Sequence, residues 1–454
     1  MAQSAAFAHG NPASRVTNST AKTWWAAIDR RVNSPAGIRL LTSIFIGIAF
    51  VFSVLPLLRC LRGQNMIDYR AWYEAGRNVL AGNEIYFLRG SSEYDFIYPP
   101  ACALFLAVAS VLGQCGFILV LVAINTIAWF VSARLSARLA NGERGQPNAW
   151  LYLIPSFLVM VSVWSNYHLG QPSLVLLALM LGAFASLRTK RELFAGTLIA
   201  LAAAIKAFPV VAIVYLVYRK YWKTAASLVL TLIFLLLILP APFRGGFDRA
   251  WRDLEKWSTG MLKYDARGVG QRPGRSQTWK NQSIVGVTNR LLRHIDIDDT
   301  RPPDPPIYVN ITEMKFSTVN AIIVGVALAL GIVFLVAMPP RQLRTSETDA
   351  AEFALLLLMM LMLTPLSYSY LFSWLMFPFA VVAQRSFTRK AIPWWAIAAF
   401  AVFLLAAPFP RGAQAYGNFF FGALILFAGL ATELWRDKHA RRAINNAVSS
   451  ALSS

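Results

Sequence analysis

The chain has 454 residues, of which 57% are hydrophobic and 14% charged, against about 45–50% apolar and about 25% charged in an ordinary soluble domain. That balance argues against a water-soluble enzyme. A formal charge of +21 would suit a nucleic-acid binder only if the basic residues shared one solvated face, and long charge-free apolar runs separate them instead.

Residues 1–37 are polar and basic, unlike a cleavable signal, and are expected to form a cytoplasmic tail. Apolar runs follow near 40–58, 99–133, 150–187, 193–218, 224–243, 318–340, 353–384, 391–410 and 412–432. One membrane helix needs about 20 such residues. The run 353–384 holds no Asp, Glu, Lys or Arg over 32 residues and is expected to fold back at Pro365. The pattern is that of an all-α polytopic membrane protein, with a membrane domain over 38–435 and a second cytoplasmic tail over 436–454.

Lys and Arg in short loops mark the cytoplasmic side. The two tails and the loops holding Arg134 to Arg144, Arg188 to Arg191, Arg219 to Lys223, Arg341 to Arg344 and Arg385 to Lys390 carry 23 of the 43 basic residues. The hydrophilic loops 59–98 and 241–317 then fall outside. The second has 77 residues, 13 basic and 9 acidic, and is too long for the charge rule, which holds up to about 60. Parity requires 193–218 to cross twice, meeting at Lys206-Ala207-Phe208-Pro209, and 99–139 to cross an odd number of times. About twelve crossings result, with both termini cytoplasmic.

Several polar residues stand against expectation. Lys206 is the only charge between Glu192 and Arg219. It either snorkels to the headgroups or binds a phosphate or carboxylate in an outward-facing cavity. Asp68 lies beside the aromatic segment Trp72-Tyr73, where it either caps the following helix or serves as a general base at a lipid headgroup. His168-Leu169-Gly170-Gln171-Pro172 with Asn166 is either a plain polar turn or the lining of a cavity. Trp279-Lys280-Asn281-Gln282-Ser283 and Thr364 to Tyr370 each suggest a hydrogen-bonding element returning to the membrane.

Other signals are weak. Cys60, Cys102 and Cys115 form no CxxC, and three thiols cannot all pair. His9, His168, His294 and His439 are too scattered for a zinc site. Asp296-Ile297-Asp298 matches the DxD of metal-dependent transferases but stands in a loop rich in Asp and Pro. The sequons at Asn18, Asn281 and Asn310 carry little weight, Asn18 being on the cytoplasmic side.

Together the Asp68 segment with Gly82 and Tyr86, Tyr98-Pro99-Pro100, Gly170-Gln171, the Gly196 to Lys206 to Pro209 spacing, Asn281-Gln282-Ser283 and Pro365-Leu366-Ser367 resemble glycosyltransferase family 87 over about residues 60–375. These are polyprenyl-phosphate-mannose-dependent mannosyltransferases of the GT-C superfamily. The resemblance implies a GT-C fold with interfacial helices outside and a cavity open to the outer leaflet of a bacterial inner or plasma membrane. It implies transfer of a hexose, mannose in the best-known members, from a polyprenyl-phosphate-sugar donor to a glycolipid or glycan acceptor, with inversion. Asp68 becomes the base, Lys206 and His168 the donor-phosphate contacts, and Tyr98, Gln171, Asn281, Gln282 and Tyr370 the substrate contacts. Members with the mycobacterial type of acceptor often carry His where this chain has Tyr368 and Tyr370. No metal or other cofactor is expected, since phosphate leaves readily when a cation stabilises it, and neither is nucleic acid. The competing class is a secondary transporter of an anionic solute using Lys206, although the second half of the chain has no counterpart of the Asp68 loop.

Overall fold

The computed structural model describes residues 27–64, 66–86, 96–262, 276–298, 305–406 and 409–453. The tail bearing Arg15, Asn18 and Lys22, and Asp299 with the prolines 302 and 303, lie outside the described residues. In chain order the helices are α1 (Pro35–Leu61), α2 (Ile67–Leu80), α3 (Pro100–Ser110), α4 (Gly113–Asn141), α5 (Trp150–Leu158), α6 (Met160–Leu169), α7 (Ser173–Arg188), α8 (Glu192–Ile205) and α9 (Ala212–Tyr218). There follow α10 (Trp222–Ile233), which runs through a π turn into α11 (Pro240–Phe243), then α12 (Phe247–Leu262), α13 (Ile284–Leu292) and α14 (Phe316–Ala337). The last are α15 (Ser346–Leu363), α16 (Met376–Arg389), α17 (Trp394–Leu404), α18 (Pro410–Ala415) and α19 (Asn418–Ser453).

Among the described residues five helical stretches are long and apolar enough to cross a membrane on their own: α1, α4, Trp222–Phe243, α14 and Asn418–Asn446. The other apolar runs are divided into shorter helices. Residues 193–218 break where expected, because Pro209 supplies no N–H and Lys206 adopts an extended backbone. The stretch 99–139 resolves into the short α3 and the long α4. The run 353–384 breaks after Leu363, and its chain re-enters through a 3-10 turn over Ser369–Leu375.

The exterior, unlike that of a soluble protein, is apolar. The spanning part of α1 is only 11% buried and that of α14 only 22%. Ile46 and Phe50, or Leu328 and Ile332, point outward. Arg219, Glu352, Asn289 and Arg290 lie inside. Lipid accepts the apolar exterior, and polar groups must find partners within. Arg219 Nε meets Glu352 at 3.0 Å, the Tyr215 hydroxyl donates to the same carboxylate at 3.0 Å, and Arg219 Nη1 donates to the Pro339 carbonyl at 2.9 Å. The protein is an integral membrane protein.

Two sets of helix ends are far apart. At one, Arg188 reaches the Leu139 carbonyl at 2.7 Å and Arg385 bridges Glu433 and Asp437 at 3.0 and 3.1 Å, so basic loops distant in sequence gather on one face. At the other, Cys60 at the end of α1 is disulfide-bonded to Cys115 at the start of α4, with Cα atoms 5.9 Å apart, and Cys102 is the free thiol. Helix α4 has 29 residues and rises about 43 Å at 1.5 Å each, enough to separate the two faces by a bilayer.

Candidate active site

Helix α2 follows from an amphipathic pattern. Tyr69, Trp72, Ala75 and Val79 form its buried stripe, while Arg70 and Glu74 pair at 2.8 Å on its outer side. Asp68 stands in its first turn, where the helix dipole favours a carboxylate. The N-cap is Met66, with no side-chain capping bond, so Asp68 does not serve as the cap.

The stripe docks on the turn after α6. The Tyr69 hydroxyl donates to the Tyr167 carbonyl at 2.8 Å. Gly170 ends α6 at φ +75°, and a Cβ there would lie 2.9 Å from the Tyr69 ring. Glycine is therefore required for both its backbone conformation and its lack of bulk. The next residue, Gln171, donates from Nε2 to Asp68 Oδ2 at 2.9 Å and accepts from the Tyr98 hydroxyl at 3.1 Å. A carboxylate can only accept, so the amide nitrogen must face Asp68 and the amide oxygen Tyr98. Tyr98 is held in turn by Tyr86, whose hydroxyl donates to its carbonyl at 2.6 Å, and by the Trp72 ring at 4.3 Å between centroids. Pro99 and Pro100 then open α3, where a missing N–H costs nothing.

Lys206 joins the same cluster from the break after α8. Ala195, Gly196, Ala200 and Ala203 line the buried side of that helix. A side chain at Gly196 would strike the Thr224 carbonyl and the Ser227 side chain of α10, so the two helices cross closely. The ammonium donates to the Tyr370 hydroxyl at 3.4 Å and lies 4.8 Å from the Tyr370 ring centroid and 5.7 Å from that of Tyr98. Asp68 interacts electrostatically with both Lys206 and His168.

His168 meets a cation. Arg59 Nη1 lies 2.7 Å from His168 Nδ1. A guanidinium only donates, so Nδ1 accepts, the ring is neutral and Nε2 carries the proton. Burial, and after it the Arg59 charge, hold this imidazole below the usual histidine range against the opposing pull of Asp68. His168 thus contributes a hydrogen-bond donor, while the positive charge beside it belongs to Arg59.

Asp68, Tyr98, His168, Gln171, Lys206 and Tyr370 are thereby linked in one neighbourhood. Asn281 and the amide nitrogen of Gln282 bond to backbone instead. The Asn281 amide donates to the Ser276 and Pro365 carbonyls at 2.8 and 2.9 Å and accepts from the Ser283 and Ser367 amides at 3.1 and 2.9 Å. Gln282 donates from its side chain to the Trp279 and Gln414 carbonyls at 2.9 and 2.7 Å. These bonds tie the loop before α13 to the turn that leads into Tyr370. Asn166 completes the support, donating to the Tyr370 carbonyl at 2.8 Å and accepting from the Ser173 amide at 3.1 Å. Sequence reasoning overlooked Arg59. The available signal was a basic residue closing the first apolar run on the side where the charge rule expects few.

The DxD element is occupied by its own loop. Asp296 accepts from the Asp298 and Ile307 amides at 3.1 and 2.9 Å, and Asp298 pairs with Arg411. Among the described residues no three His, Cys, Asp or Glu side chains group as metal ligands.

The profile of glycosyltransferase family 87 matches residues 96–366, more than half of the chain. The chain belongs to glycosyltransferase family 87. It is also similar to the polyprenol-phosphate-mannose-dependent alpha-(1-2)-phosphatidylinositol mannoside mannosyltransferase of Mycolicibacterium smegmatis, at 26% identity over 239 residues, covering 49% of this chain and 50% of that protein. The chain thus spans about half the length of that curated relative. No solved structure matches. The family 87 match includes Tyr98, His168, Gln171 and Lys206 but begins after Asp68 and ends before Tyr370, so the geometry alone brings those two residues into the site.

Proposed function

We propose that this family 87 protein is a GT-C type transferase that moves a hexose, mannose by analogy with its relative, from a polyprenyl-phosphate donor to a hydroxyl of a glycolipid or glycan. Asp68 is the general base. It takes the acceptor's proton as the acceptor oxygen bonds to the anomeric carbon. The bond from that carbon to the phosphate oxygen breaks on the opposite side, inverting the centre, and the electron pair leaves with the polyprenyl phosphate. Side-chain cations, rather than a metal, meet the charge that develops on the leaving group.

The observation that carries this reading is the relay from Tyr98 through Gln171 to Asp68, which holds a carboxylate at a helix start beside Lys206 and His168. The Cys60 to Cys115 disulfide lies close to the cluster in sequence and at the face opposite the basic loops. Disulfides persist in oxidising compartments, which supports an extracytoplasmic site and, by the same orientation, cytoplasmic termini.

The test is transfer by purified protein from a radiolabelled polyprenyl-phosphate mannose to membrane glycolipid. Asp68→Asn is expected to stay monodisperse in detergent and to lose transfer by about 10²-fold or more, the low end for removing a general base. Retained transfer removes Asp68 from the catalytic role. Uptake of a solute by proteoliposomes, without transfer, would favour the transporter.

A further inference from the structure

Arg59 is half-buried at the end of α1, and among the described residues no carboxylate pairs with it. Its hydrogen-bond partner is the neutral ring of His168. A partly desolvated guanidinium without an anion is costly, and its position is closely determined. Phe52, two turns earlier, packs on Trp164 and Tyr167 with centroids 5.1 and 5.7 Å apart, and the adjacent Cys60 is tied to α4 by the disulfide. Lys206 differs: its ammonium already has the Asp68 carboxylate in its field and two tyrosine rings around it.

We infer that Arg59, together with the Nε2–H of His168, is the subsite for the phosphate of the lipid-linked donor. Arg59 retains guanidinium N–H groups beyond the one given to His168 and presents them in the planar fork that matches phosphate oxygens. His168 adds one neutral donor whose orientation Arg59 fixes. This inference rests on the proposed lipid-phosphate donor. Its chemistry would equally suit the anionic headgroup of a bulk phospholipid, so the two sources are separated by experiment.

Native mass spectrometry of the detergent-solubilised protein would measure binding of polyprenyl phosphate, the donor without its sugar, in the presence and absence of phosphatidylglycerol. Arg59→Gln is expected to weaken polyprenyl-phosphate binding by about 10- to 100-fold, the range for a hydrogen bond to a charged group, and to lower kcat as well as raise the donor KM, because the leaving phosphate gains charge in the transition state. Arg59→Lys, which keeps the charge but not the fork, is expected to fall between, and it is read in place of Arg59→Gln if that variant aggregates. Unchanged binding in the variant read overturns the assignment. Equal loss of phosphatidylglycerol and polyprenyl-phosphate binding also overturns it, making the site a general headgroup contact. Absence of polyprenyl-phosphate binding by the wild type would instead refute the proposed donor class.

Discussion

Gly170→Ala tests whether the turn after α6 positions the carboxylate. The residue lies at φ +75°, and a left-handed conformation costs an L residue about 1–2 kcal/mol. The added Cβ would stand 2.9 Å from three carbons of the Tyr69 ring, inside the roughly 3.5–4.0 Å optimum for carbon contacts. Tyr69 is 1% exposed and tethered through its hydroxyl to Tyr167, so it cannot easily retreat. Overpacking of this kind costs about 1–3 kcal/mol, for a total of about 2–5 kcal/mol. Relief requires α2 and the turn to separate, which pulls Gln171 from Asp68. The assay is heating in detergent followed by size exclusion, with donor-dependent transfer measured on the surviving monomer. Gly170→Ala is expected to lower the midpoint by several degrees and to reduce kcat/KM. Adding Tyr69→Leu should restore the steric part, a coupling of about 1–3 kcal/mol in a double-mutant cycle. A variant with wild-type midpoint and transfer, or a cycle additive within about 0.5 kcal/mol, refutes the reasoning.

Two further outcomes follow from the same structure. Glu352→Gln leaves Arg219 charged and buried without its counter-ion. Breaking a buried pair from one side costs about 3–5 kcal/mol, so the protein is expected to aggregate on extraction, and the joint change with Arg219→Met should recover monodispersity. The Cys60 to Cys115 bond closes a separation of 55 residues, which the chain-entropy relation values at about 4 kcal/mol. Cys60→Ser is therefore expected to lower thermal stability and to leave Cys115 reactive towards a membrane-impermeant maleimide applied from outside intact cells; labelling only after lysis would reverse the proposed orientation.

Much of this architecture is local physics and therefore legible along the chain. Apolar run length marks the membrane, Pro209 and Pro365 mark breaks, and the stripe from Tyr69 to Val79 marks α2. The number of full-length spans is not local. The chain through Tyr368 and Tyr370 runs as a 3-10 turn where Asn281 and Asn166 grip its backbone, so contacts from distant segments shape the break in this apolar run.

The site depended still more on packing. The residue types and their apolar flanks identify Asp68, Lys206 and Gln171 as polar groups out of place, but not as neighbours. Gln171 meets Asp68 across 103 residues, Tyr370 meets Lys206 across 164, and Arg59 meets His168 across 109. Which polar groups meet is set by where helices cross, at Gly196 against α10 and at Gly170 against Tyr69, and no spacing within one segment encodes that. For the same reason only the assembled fold decides that Cys60 pairs with Cys115, that Asn281 and the Gln282 amide nitrogen bond to backbone, and that the cation beside His168 is Arg59.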